Sequence, residues 1–308
     1  MAESWPRALT RVSGPMRADK LAGAAQGMGA YGPQTVLFAQ DDLVPPDMMT
    51  GLTLFILAQQ PRDTDRQKIP GGGGGVAGGV WVRERFTISR PLARDEVFTV
   101  DGTSLGRHVH KGRRYGTTAA VTRNAAGELS ASNLTTGLLA YEVEDGLADG
   151  VEGQPVDEIE APAPDWSVAA HNPCRAALLQ LTPGERLGGE TVRVSLAMMA
   201  ARDTKRPDNP IHSDPELARK AGLSRPIAGG SHVLSFALEP IFVVCGRDAL
   251  FHGANFDVRW KAPVYADTDV LPRVTVAAKD DRLVTFDLQV DLADGAAAMV
   301  ARVTVPLA

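Results

Sequence analysis

Phe256-Asp257-Val258-Arg259-Trp260-Lys261-Ala262-Pro263-Val264-Tyr265-Ala266-Asp267 is the stretch from which the fold can be read. Its first residues alternate apolar and polar as a half-buried strand does, and Pro263 stops the run. Asp267 follows the proline by four residues. The same device occurs earlier, where Arg85-Phe86-Thr87-Ile88-Ser89-Arg90-Pro91-Leu92 leads to Asp95 at the same spacing. Working outward, each copy is followed by two alternating runs joined by a turn. Tyr115–Arg123 and Leu129–Leu139 flank Asn124-Ala125-Ala126-Gly127, while Leu283–Leu292 and Ala297–Val305 flank Ala293-Asp294-Gly295-Ala296. These are hairpin patterns in matching places, and they indicate a tandem duplication.

Each copy is preceded by one apolar helix. Val233, Phe236, Ala237 and Ile241 recur at helical spacing within Gly230 to about Val244, and Pro240 is expected to end or kink that helix. The counterpart runs from Pro46 to about Gln59, where Pro45-Pro46-Asp47 resembles a helix start. A sheet wrapped on a central apolar helix, made twice, is an α+β architecture. Ala148 to Pro164 is rich in Asp, Glu, Gly and Pro and reads as an exposed connection. The expected units are residues 1–150, a linker at 151–164, and residues 165–308.

The bulk properties exclude several classes. A formal net charge of −5 gives no basic surface for nucleic acid or anionic membranes. Cys174 and Cys245 make no disulfide framework and suggest a reducing compartment. The N-terminal residues lack a signal-peptide pattern, and the most apolar run, Val233 to Cys245, is too short to span a bilayer. A cytoplasmic protein is expected. The Gly71 to Gly75 run lacks the Lys-Ser/Thr and the strand-to-helix setting of a phosphate loop, and reads as a flexible connection. His108 and His110 sit one strand period apart without a third ligand, so no metal site is expected.

The chemistry concentrates between Asn209 and Gly230. His212 lies on an Asn209-Pro210 turn, and Asp214 can cap a short helix that starts at Pro215 and stops at Gly222. Gly229 and Gly230 then open the second apolar helix. Glycines there let a ligand approach the unpaired first N–H groups, which suit a carbonyl oxygen gaining negative charge. They equally suit close packing of that helix against the sheet.

This stretch resembles the MaoC-like and (R)-specific enoyl-CoA hydratases. It matches their pattern at Asn209, Pro210, Ile211, His212, Asp214, Ala218, Gly222, Pro226, Ile227, Ala228 and Gly230, and the strand from Arg259 to Asp267 resembles theirs as well. The resemblance covers most of residues 165–308 and implies a double hotdog whose first half has lost the chemistry and shapes an acyl pocket. It implies a water held between a carboxylate and His212, an enolate oxygen held by the Gly230 N–H, and no cofactor. Asn209, Gly229 and Ser231 are the implied substrate-binding residues, acyl-CoA is the implied substrate, and a monomer or a homodimer is compatible with it. The chain departs from the pattern where the family carboxylate should stand, at Pro207. Asp208, one residue on, and Asp203, further upstream, are the candidates to replace it. The family histidine before the second glycine is also absent, replaced by Gly229. The rival from another class is an acyl-binding subunit without activity. A hotdog thioesterase fits the Asn-Pro-Ile-His loop poorly.

Overall fold

The inward face of the second hairpin, Val284, Phe286, Leu288 and Val290, is fully buried. That burial is what the period-2 pattern requires of a strand with one face on a core. In the computed structural model, which describes residues 5–15, 18–58, 80–139, 143, 145–203, 210–220 and 222–307, these residues line a single antiparallel sheet. Among the described residues the sheet runs β1 (Arg7–Ala8), β4 (Val97–His110), β5 (Arg113–Arg123), β6 (Leu129–Leu138), β3 (Val80–Ile88), β10 (Ala254–Trp260), β13 (Ala297–Pro306), β12 (Leu283–Leu292), β11 (Thr268–Lys279) and β8 (Arg186–Leu187). β2 (Val12–Pro15) and β7 (Gly150–Gly153) also pair with β4, and β9 (Val192–Val194) pairs with β11.

The halves meet at β3 and β10, with Phe86 opposite Phe256. Their rings stack with centroids 4.2 Å apart and planes 7° from parallel. On the other face Arg83 makes two hydrogen bonds to Asp257, at 2.9 and 2.7 Å. The two Pro-x-x-x-Asp corners are built alike. Asp95 and Asp267 both have φ of 60°, a left-handed turn residue that aspartate tolerates. The bridges Leu43↔Ala93 and Ile227↔Tyr265 tie each corner to the segment before its central helix.

Those helices differ. α8 (Gly230–Cys245) is one helix, whereas its counterpart is a 3₁₀ turn (Pro46–Thr50) leading into α3 (Gly51–Ala58). Gln59 and the Gly71–Gly75 run lie outside the described residues. Of the two outcomes expected at Pro240, an end or a kink, the first does not occur: α8 runs through it to Cys245. The missing N–H of Pro240 frees the carbonyl of Phe236, and the Tyr31 hydroxyl donates to that oxygen at 3.2 Å. A neighbouring element therefore satisfies the group that would otherwise break the helix.

α1 (Ala18–Met28) and α2 (Pro33–Gln40) were not legible from apolar periodicity. Both lie against α8. Glu239 of α8 accepts from the backbone N–H groups of Gln34 and Thr35, at 2.6 and 3.1 Å, and from the Thr35 hydroxyl at 2.6 Å. The carboxylate thus caps α2 from another element, where the helix dipole favours negative charge. The connection is also more ordered than composition suggests. Residues 150–153 form β7 on β4, and Asn255 Nδ2 and the Thr87 hydroxyl donate to the carbonyls of Pro162 and Ala163, at 2.5 and 2.8 Å. The stretch is largely exposed, as its polar composition predicts, and its backbone groups pair nonetheless. Among the described residues no helix is long and apolar enough to cross a membrane.

Candidate active site

His212 closes a 3₁₀ turn, Pro210–His212, whose neighbours form a small core of their own. Ile211, Ala218, Leu223 and Ile227 are buried together beside Tyr265. Asp214 is spent on structure, accepting from the N–H groups of Glu216 and Leu217 at 2.8 and 3.0 Å to cap α7 (Pro215–Lys220). Gly222, at φ of +84°, follows it as the left-handed stop. Ile227 N–H donates to Ile211 O at 3.2 Å, and Ala228 N–H to Val264 O at 2.8 Å. The histidine loop is therefore pinned both to its own sequel and to the β10–β11 corner.

The imidazole is held in one tautomer. His212 Nδ1 lies 2.7 Å from the Ile227 carbonyl oxygen. A carbonyl only accepts, so Nδ1 carries the proton, and in the neutral ring Nε2 keeps its lone pair. That is the protonation a general base needs. The ring is half-buried beside the start of α8, and a Cβ on Gly229 would come 3.9 Å from its Cε1.

Gly229 is the N-cap of α8, with φ −63° and ψ 148°, and makes no side-chain cap. Helix geometry leaves the first N–H groups, those of Gly230 and Ser231, without intrahelical acceptors. The glycine at 230 has a packing reason as well. A Cβ there would sit 2.8 Å from Trp260 Cε2, and the Trp260 indole N–H donates to Gly230 O at 3.0 Å. Trp81 of β3 lies against Trp260, ring centroids 5.6 Å apart, so the first half supplies part of the wall at this end of α8. Ser231 is half-buried in the first turn. Asp208 and Asn209 lie outside the described residues, as does the side chain of Asp203.

Three buried groups near this helix start escaped the sequence reading. His232 donates from Nε2 to Gly27 O at 2.7 Å, and its Nδ1 has no hydrogen-bond partner among the described residues. Burial, then the nearby Arg202 charge, push its pKa down to about 3, so the ring is neutral. Arg202, at the end of α6 (Leu196–Asp203), pairs with Asp47 of the first half, and both side chains are almost wholly buried. Sequence offered no signal for a pair 155 positions apart.

The comparisons agree with this architecture. A chain called a MaoC-like dehydratase superposes with a TM-score of 0.68 at 17% identity, covering 98% of both chains. A Mycobacterium tuberculosis protein described as a double hotdog gives 0.64 at 12%, covering 99% of this chain and 97% of that one. The peroxisomal multifunctional enzyme type 2 of Drosophila melanogaster gives 0.66 at 15%, covering 97% of this chain and 48% of that one. At such identities the likeness is one of fold, and it defines the chain as a double hotdog protein. Residues 202–292 match the MaoC like domain family, so the second half carries a MaoC-like domain. No curated protein sequence matches the chain.

Proposed function

We propose that the chain hydrates trans-2-enoyl-CoA to the (R)-3-hydroxyacyl thioester, or catalyses the reverse dehydration. The observation that carries this reading is the Nδ1 hydrogen bond of His212 to Ile227, which fixes the tautomer of a ring that stands beside the opening of α8. In this reading Nε2 takes a proton from water as the oxygen attacks the β-carbon. The proton taken up at Nε2 is returned to the α-carbon on the same face, so that one water is added in all. The negative charge that develops passes to the thioester oxygen, where the Gly230 N–H holds it. Asp208 is the second carboxylate on that water, displaced one residue from the place where Pro207 stands. Asn209 orients the loop, and Gly229 and Ser231 bound the thioester. Residues 165–308 supply the chemistry, residues 151–164 connect, and residues 1–150 shape the acyl pocket without catalysing.

Enoyl absorbance followed across a chain-length series, with chiral analysis of the product, tests the activity. His212→Ala and Asp208→Asn are each expected to lower kcat by roughly 10²–10⁴-fold, the range for positioned acid–base groups. Because both groups would act on one water, the double variant should be little worse than either single one. An unchanged kcat in Asp208→Asn, with loss in His212→Ala, removes the carboxylate from the scheme. Tight acyl-CoA binding with no turnover by the wild type favours the non-catalytic subunit.

A further inference from the structure

The inward walls of the two halves can be compared residue by residue through their strand registers. In the second half Val276, Phe286, Val303 and Phe256 lie side by side across β11, β12, β13 and β10. The equivalent row of the first half is Ser104, Thr118, Thr135 and Glu84, across β4, β5, β6 and β3. In the next row Val274, Leu288, Ala301 and Val258 answer to Gly102, Ala120, Asn133 and Phe86. One row on, Val290 answers to Thr122. One wall is hydrocarbon, and the other carries hydroxyls, an amide and a carboxyl.

Ser104 is half-buried, and the other polar groups of these rows are buried and incompletely paired. Asn133 Nδ2 donates to Glu84 Oε1 at 2.7 Å, but Glu84 Oε2, Asn133 Oδ1, the Thr122 hydroxyl and the Thr53 hydroxyl of α3 have no hydrogen-bond partner among the described residues. Burial raises the Glu84 carboxyl well above its usual range, with hydrogen bonds from Asn133 and Thr135 opposing the shift, which favours its neutral form. An unmet buried polar group destabilises the fold, and the second half shows that this fold accepts apolar residues at the same places. The wall also connects to the site. Glu84 is three residues along β3 from Trp81, about 10 Å at the rise of a strand, and Trp81 packs on the Trp260 that covers Gly230.

We infer that the first half receives an oxygenated acyl chain, carrying a hydroxyl or ketone, between α3 and this wall. The inference rests on the acyl-thioester reading above and names its substrate class. A neutral oxygen fits better than a carboxylate, because the wall offers hydroxyls, an amide and a carboxyl whose burial favours its neutral form, and no cation stands among them. α3 must move outward to admit the chain, since the unmet atoms are closed to solvent.

Calorimetric titration of the full chain with unreactive saturated ligands tests this independently of turnover. The probes are octanoyl-CoA and a positional series of hydroxyoctanoyl-CoA and ketooctanoyl-CoA. At least one oxygenated member is expected to bind about tenfold more tightly than octanoyl-CoA, the worth of one net hydrogen bond. In Thr53→Val/Thr122→Val, which conserves shape, that preference should fall to near unity while octanoyl-CoA binds as before. Octanoyl-CoA binding the wild type as tightly as every oxygenated member overturns the inference and leaves the hydratase reading standing. Preferential binding of an oxygenated member without any enoyl turnover sustains the inference and overturns the activity. Binding of none of the probes overturns both.

Discussion

Pro45 and Gly229 occupy the same place in the two halves and nearly the same conformation, φ −60° and ψ 148° against φ −63° and ψ 148°. Val44 N–H donates to Leu92 O at 2.9 Å just as Ala228 N–H donates to Val264 O at 2.8 Å. The backbone was duplicated, but the donors were not. Pro45 and Pro46 have no N–H to offer, whereas Gly229 and Gly230 do. Leu43 N–H bonds Phe38 O at 3.0 Å where Ile227 N–H bonds Ile211 O at 3.2 Å. The residue after that carbonyl is Ala39 in the first half and His212 in the second. Following Pro46, Asp47 takes the position of Ser231 and is sealed by Arg202. One half keeps the backbone geometry of the other without its glycine N–H groups or its histidine, and the comparison shows that a shared backbone does not carry the same groups.

The contrast can be broken most severely at the sealed pair. Asp47→Ala leaves the Arg202 charge buried without its carboxylate, and unfolding in denaturant should show a loss of about 3–5 kcal/mol. Ser231→Ala, at the matching place, should cost under about 0.5 kcal/mol. Equal losses at the two positions would end the distinction between a sealed and an open helix start.

A smaller effect is expected at Gly230. Gly230→Ala keeps the N–H but drives a methyl into Trp260, 2.8 Å from its ring, and overpacking of this kind costs about 1–3 kcal/mol. Thermal unfolding should report that cost. Because the helix start must shift off Trp260, kcat should fall with it. Full stability combined with lost activity would instead make this glycine purely a matter of ligand approach.

The mildest prediction concerns acid. His232 is held at a pKa of about 3 in the fold against 6.5 unfolded, so the unfolded chain takes up the proton first as pH falls. Stability from this group is intact above pH 6.5 and declines toward pH 3. Between pH 7 and pH 5 the wild type should lose roughly 2 kcal/mol more than His232→Gln, which keeps a donor for Gly27. Parallel losses in the two proteins would mean that His232 is solvated in the native state.

The sequence by itself determined the duplication, both hairpins, both central helices, the Asp corners, the cap of α7 and the histidine loop. Each is a local rule, since alternation, turn chemistry, capping and proline spacing act within about a dozen residues. Tertiary structure decided the rest. Pro240 remains inside α8 because Tyr31 satisfies the carbonyl it orphans, and α2 is capped by Glu239 from a helix some two hundred residues away. The Asp47–Arg202 pair and the polar row led by Glu84 depend on which distant strands and helices become neighbours. Nothing in the spacing of Asp47 or Glu84 along the chain marks them as buried. The cost of enclosing a charge or an unmet hydroxyl arises only once another element covers it, and a sequence pattern carries no record of the cover.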